Sequence, residues 1–159
     1  MVNKHQAVID YLLTCQAIYD SPLYFNFISA KDDTNQFITD SNDTYTNVRY
    51  VDGSVKKLYT FTITTFKSIN DIAIVPITGY PDENVNDMYD LQALIDWIDE
   101  QNDARNFPDF GSNCFIEQIS TTTEEPKFIG IDEQTEPKLA VYNTVIQIEY
   151  IDNSKSIWG

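Results

Sequence analysis

With 159 residues, 42% apolar and 13% aromatic, the chain suits one domain that buries about 68–70% of its unfolded surface, and global disorder is not expected. A formal net charge of −15, with a pI near 4.1, argues against a surface that grips nucleic-acid phosphates. No apolar run approaches the ~18 residues of a membrane span, and MVNKHQ leads into an amphipathic pattern and not a signal sequence, so a soluble protein made in the cytoplasm is expected.

Residues 2–19 read as a first helix, with Val8, Tyr11, Leu12, Cys15, Ile18 and Tyr19 on one face and Asp20-Ser21-Pro22 closing it. The aromatic run 23–28 suits a short strand. Residues 31–46 are mostly Asp, Asn, Thr and Ser around Gln36-Phe37-Ile38-Thr39, which predicts a long, partly mobile loop with room for one short strand. Segments 47–51 and 54–67 flank Asp52-Gly53, a hairpin signal that predicts a type I′ turn. In the second arm Val55, Tyr59, Phe61 and Ile63 share a face with Lys57, while Thr60, Thr62 and Thr64 line the other, so this strand is expected to be buried on one side only. Residues 69–77 run apolar, and Gly79-Tyr80-Pro81-Asp82 forms a turn into the next element.

That element is the clearest helix in the chain. Met88, Leu91, Leu94, Ile95 and Ile98 make an apolar stripe, and Asp90, Asp96, Asp99, Glu100 and Asp103 occupy the other positions as a solvated face. Asn86 or Asp87 is expected to cap its start; Pro108 disfavours helix in the residue before it, so the helix ends by about Asn106. Strands follow at 113–122 and 127–131, then an acidic turn from Asp132 to Pro137. The longest strand signal spans 139–151, with Tyr142, Ile146, Ile148 and Tyr150 inward and Gln147 and Glu149 outward. The element order predicts a single α+β domain over residues 1–152, a mainly antiparallel sheet with two helices packed on one face, and a C-terminal tail at 153–159.

Chemistry is sparsely provided. The one histidine, His5, is expected in a solvated first turn, and no Ser or Cys stands in a nucleophile motif, so no catalytic role is predicted. Five glycines, at 53, 79, 111, 130 and 159, form no phosphate cradle, and no cofactor is expected. Asp40-Ser41-Asn42-Asp43-Thr44 begins like a calcium loop but lacks its sixth-position glycine and closing Glu, so no dedicated metal site is expected. Cys15 and Cys114 lack the spacing of a zinc site or redox pair and read as buried thiols. Aromatic residues are enriched where proteins meet. The candidate interface residues are Phe107 and Phe110 beside a proline at the helix exit, Tyr59 in the hairpin, and Ile157 and Trp158 beyond the last strand.

Three patches carry a resemblance: the helix with Leu94, Trp97, Ile98 and Gln101; Arg105-Asn106-Phe107-Pro108; and Ala140-Val141-Tyr142-Asn143 running into Ile146-Gln147-Ile148-Glu149-Tyr150. In this order they resemble the tail terminator or tail-completion proteins of long-tailed bacteriophages, also labelled minor capsid or minor tail proteins. The segments 31–46 and 153–159 have no counterpart in that pattern. The resemblance implies a virion structural protein of α+β fold, assembled in the host cytoplasm. It would form a hexameric ring at the head-proximal end of the tail tube, ending tube growth and joining the tube protein to head-completion or connector proteins. DNA would pass its electronegative channel without specific binding. Alternatives are another connector or tail-tube subunit, or an acidic DNA mimic that inhibits a nucleic-acid enzyme.

Overall fold

The computed structural model describes residues 3–19, 23–25, 34–68, 83–123, 125–132 and 138–154. Along the chain run α1 (Lys4–Leu12), α2 (Gln16–Tyr19), β1 (Leu23–Phe25), β2 (Thr34–Arg49), β3 (Val55–Ser68), α3 (Glu83–Asp103), β4 (Cys114–Thr121), β5 (Lys127–Asp132) and β6 (Leu139–Asp152). The sheet has the order β1-β2-β3-β6-β4, with β5 also paired to β6. Among the described strands only β1 and β2 pair in parallel. This is the mainly antiparallel α+β architecture that the element order predicts.

One strand centres the sheet. β6 pairs with β3 along its whole length, from Leu139 opposite Ser68 to Asp152 opposite Val55. Its other side is shared end to end by β4, opposite 146–152, and β5, opposite 139–143. Alternation explains the placement: Tyr142, Thr144, Ile146, Ile148 and Tyr150 are buried, and the residues between them are partly exposed. Tyr59, Phe61 and Ile63 stand opposite Ile148, Ile146 and Thr144, and Phe37 of β2 continues the layer opposite Ile63. Val8 and Leu12 of α1, Ile18 of α2, and Leu94 and Ile98 of α3 join this same cluster, so the helices cover one face. Each such side chain, fully buried, is worth about 1.5–3 kcal/mol.

Both segments of the far edge are bulged. Ile116 opposes Tyr150 and Gln118 opposes Glu149, leaving Glu117 extra; Phe128 opposes Tyr142 and Gly130 opposes Val141, leaving Ile129 extra. An extra residue switches the alternation, so residues three apart share a face. Ile116 and Ile119 therefore both reach the core.

Several local expectations are corrected. The first helix breaks at Leu13-Thr14-Cys15, where Thr14 and Cys15 bond the carbonyls of Tyr11 and Leu12 in tightened turns. The Thr14 hydroxyl also donates to the Tyr11 carbonyl at 2.6 Å, competing with helix continuation. The apolar stripe survives the break, because Cys15 and Ile18 still face the core. The polar stretch read as a loop is mostly β2, a 16-residue strand. Its buried Asn35 accepts a bond from the Thr65 hydroxyl at 2.7 Å, which satisfies that polar pair away from water. Asp40-Ser41-Asn42-Asp43 falls in an irregularity where the step from Thr39 to Thr44 opposes only the step from Phe61 to Tyr59.

The hairpin forms where predicted, with a different turn. Gly53 alone takes positive φ (91°); its N–H bonds the Tyr50 carbonyl at 3.1 Å, and the Tyr50 N–H bonds the Ser54 carbonyl at 2.9 Å. This is a three-residue loop ending in a left-handed glycine, not a type I′ turn. The Asp52 carboxylate accepts from both the N–H and the hydroxyl of Ser54, which fixes the loop. Nor is β3 buried on one side only, since Leu58, Thr64 and Phe66 on the second face are also covered.

α3 begins at Glu83, so Asn86 and Asp87 lie within it and do not cap it. Its end is a Schellman turn: Arg105 takes the left-handed conformation (φ 58°), Asn106 N–H bonds Gln101 O at 3.0 Å, and Arg105 N–H bonds Asn102 O at 3.1 Å. Arg105 stands where glycine is usual, and its guanidinium donates to the carbonyl of the bulged Glu117 at 2.9 Å. Asn102 accepts from Ile119 N–H at 3.0 Å, so the helix end is fastened to the β4 bulge. The apolar run at 69–77, the turns at 20–22 and 79–82, and most of the acidic turn lie outside the described residues.

Candidate functional site

The five candidate interface residues separate. Tyr59 and Phe110 are core residues, only 1% and 4% exposed, and are corrected on that ground as surface contacts. The loop after α3 folds back over the sheet, where the Asn106 carbonyl accepts from the Tyr11 hydroxyl at 2.9 Å. That return brings Phe110 edge-on to Tyr59 and Tyr150, with centroids 5.8 and 5.2 Å apart. His5, expected in solvent, instead hydrogen-bonds the buried Tyr59 hydroxyl through Nδ1. Phe107 is half-buried under the Arg105 guanidinium, 5.0 Å from the ring centroid. With Pro108, Ala7, Gln6 and Asp10 it lines an open groove of about 490 Å³ between α1 and the loop. Ile157 and Trp158 lie outside the described residues.

Two apolar surfaces escaped the pattern reading. At the hairpin, Val48, Tyr50 and Val51 are exposed, Val51 completely (104%). At the far edge, Phe128, Ile129 and Ile131 of β5 are each about half-exposed (52%, 51% and 49%). Both carried a faint signal. Val51 occupies a loop apex, where no neighbouring strand covers it; Phe128-Ile129-Gly130-Ile131 lacks the polar alternation of a half-buried strand.

Elsewhere, two lysines of β3 are engaged by carboxylates. On the sheet face away from the helices, Lys56 bridges Glu117 at 3.0 Å and Glu149 at 3.9 Å; the hydrogen bond to Glu117 and then the charge of Glu149 raise its pKa. Beside α1, a cavity of about 550 Å³ is lined by Lys4, Lys57, Cys114 and Asp152. Lys57 is closed onto Asp152 at 3.0 Å, and Lys4 lies over the rings of Phe110 and Tyr150 at 5.9 and 5.8 Å. Desolvation raises the Cys114 thiol against the opposing pull of Lys4, so it stays protonated at neutral pH and is a poor nucleophile. Burial likewise raises the Tyr11 hydroxyl.

Burial alone would raise Asp152, but hydrogen bonds from Ser154 and the Lys57 ammonium outweigh it and lower the pKa from 3.8 to about 2. The folded state therefore binds this proton less tightly than the unfolded one. Asp152 stabilises the fold above about pH 4, and the contribution disappears as pH falls through about 2. Because the pair stays in contact with water, the expected increment is at most about 1 kcal/mol. Urea midpoints of wild type and Asp152→Asn, compared between neutral pH and pH 2, should converge at the acid end; a constant difference would remove the pair from the account.

These features define an α+β protein with one mainly antiparallel sheet, helices on one face, and apolar side chains exposed at its hairpin tip and bulged margin. No protein-family model matches the chain, and no curated protein matches it.

Proposed function

We propose that this protein is a structural subunit of a long-tailed phage, forming a hexameric ring at the head-proximal end of the tail tube. Its action is steric: it ends tube growth and offers the other face of the ring to head-completion or connector proteins. A closed ring of identical subunits needs two different surfaces on each subunit, one fitting the other on its neighbour. The observation that carries the reading is that this chain offers two distinct surfaces, an exposed apolar knob at Tyr50 and Val51 and an open groove at Phe107 and Pro108. The net charge of −15 suits a channel through which DNA slides without sticking. The three patches of resemblance lie together as α3, its latched end and the central strand β6, which supports kinship in fold.

The test is the mass and position of the full-length protein. Light scattering after size exclusion, alone and with purified tail tubes, should give six subunits or a multiple of six, and imaging of intact particles should place it at the tail–head junction. Val51→Asp should abolish the hexamer while leaving the fold intact, because that side chain touches nothing it must leave. Rings insensitive to both Val51→Asp and Phe107→Ala, or particles carrying the protein elsewhere, would overturn the proposal. A monomer competing with DNA for a basic enzyme would replace it with the mimic reading.

A further inference from the structure

Strand β5, KFIGID, pairs with β6 on one side and with no other described strand on the other, and its three large apolar side chains stand half in solvent. Such an edge is a template for pairing with another chain. The occupant is indicated by the strand's own composition. Laid antiparallel against itself about a centre between Ile129 and Gly130, it sets Lys127 opposite Asp132 of a second copy, Phe128 opposite Ile131, and Ile129 opposite Gly130. Charge meets opposite charge at both ends, and an aromatic meets a β-branched residue, pairings that favour a sheet.

The faces agree as well, and the bulge is the reason. In a regular strand, residues 128 and 131 would point to opposite sides, and the arrangement would be impossible on a two-fold axis perpendicular to the sheet. Here Phe128 opposes Tyr142 and Ile131 opposes Ala140, both on the helix side, whereas Lys127 and Asp132 oppose Asn143 and Leu139 on the other. The single extra residue, Ile129, lies at the centre of the self-pairing, where one change of parity is required.

Gly130 is a separate indication. Its φ is not in the left-handed region, and a Cβ added there would meet nothing within 4 Å, so neither its backbone nor packing among the described residues requires glycine. Opposite Ile129 of a second copy, a missing side chain has a use, since it leaves room for the isoleucine.

From these observations we infer that β5 joins two copies of this chain through antiparallel self-pairing, making one sheet continuous across a two-fold axis. The contact is isologous and independent of the proposed ring, which uses different residues. The full-length protein is weighed by analytical ultracentrifugation in the Val51→Asp background, which lacks the ring contact. The expected species is a dimer. Gly130→Val should leave the unfolding midpoint nearly unchanged yet weaken dimerisation at least tenfold. Lys127→Asp, which sets two acids face to face, should do the same, and Lys127→Asp with Asp132→Lys should restore the dimer. A monomer at every attainable concentration, or a dimer indifferent to both single substitutions, would overturn the inference. A dimer with no higher assembly in the wild-type protein would count against the ring alone.

Discussion

Phe110→Ala is expected to lower the stability of the folded chain by about 3–5 kcal/mol, the cost of emptying a buried aromatic site. The ring is 4% exposed and is wedged between Tyr59 and Tyr150, with the Lys4 ammonium 5.9 Å above it. It ties the loop after α3 to the sheet, so the surroundings are anchored and have little freedom to collapse. Against a total stability of roughly 5–15 kcal/mol, such a loss is a large share. Urea unfolding followed by circular dichroism measures it. Subunit stoichiometry, read by light scattering below the unfolding transition, should stay as in wild type. Loss of assembly at unchanged stability would instead make Phe110 a contact between subunits.

The second large effect concerns the polar pair inside the sheet. Thr65 donates to Asn35 at 2.7 Å, and both residues are 4% exposed. Thr65→Val keeps the shape and removes the donor, leaving the Asn35 carbonyl in a dry place at a cost of about 1–3 kcal/mol. Asn35→Leu alone strands the Thr65 hydroxyl in the same way. The double replacement removes the mismatch, so it should cost less than the two single changes added together, with a coupling of about 0.5–3 kcal/mol. Additive costs in urea unfolding would mean that the hydroxyl and amide find other partners and that the bond contributes nothing of its own.

This pair also explains where the sequence could be read and where it could not. β6 was legible because one of its faces packs under the helices, so its apolar residues must alternate. α3 was legible for the same reason at helical spacing, although its start was misplaced. β2 was not: its Asn35 and Gln36 are buried against other polar groups, and from composition such a strand looks like a solvated loop. Asp52-Gly53 located the hairpin, whereas the turn type depended on the Gly53 conformation and the Tyr50–Ser54 closure, which no dipeptide specifies. The Thr14 hydroxyl broke a helix whose apolar stripe gave no sign of it.

The candidate site was less legible than the fold. Aromatic residues beside Pro108 were expected to face outward, but the chain's return across the sheet buries Phe110 and half-buries Phe107. What remains exposed is decided by which strand ends up at the margin. That is a property of topology: KFIGID shows only a missing polar alternation, and its place at the margin is set by its neighbours.

Placing β6 at the middle of the sheet has a consequence for how the protein comes into being. Synthesis proceeds from the N-terminus, so the β2–β3 ribbon leaves the ribosome long before the residues that must lie against its open side. β4 and β5 emerge with no strand to receive them. The architecture thus cannot be completed piecemeal: the nascent chain waits, partly open and prone to wrong partners, until residues 139–152 arrive and close both halves together.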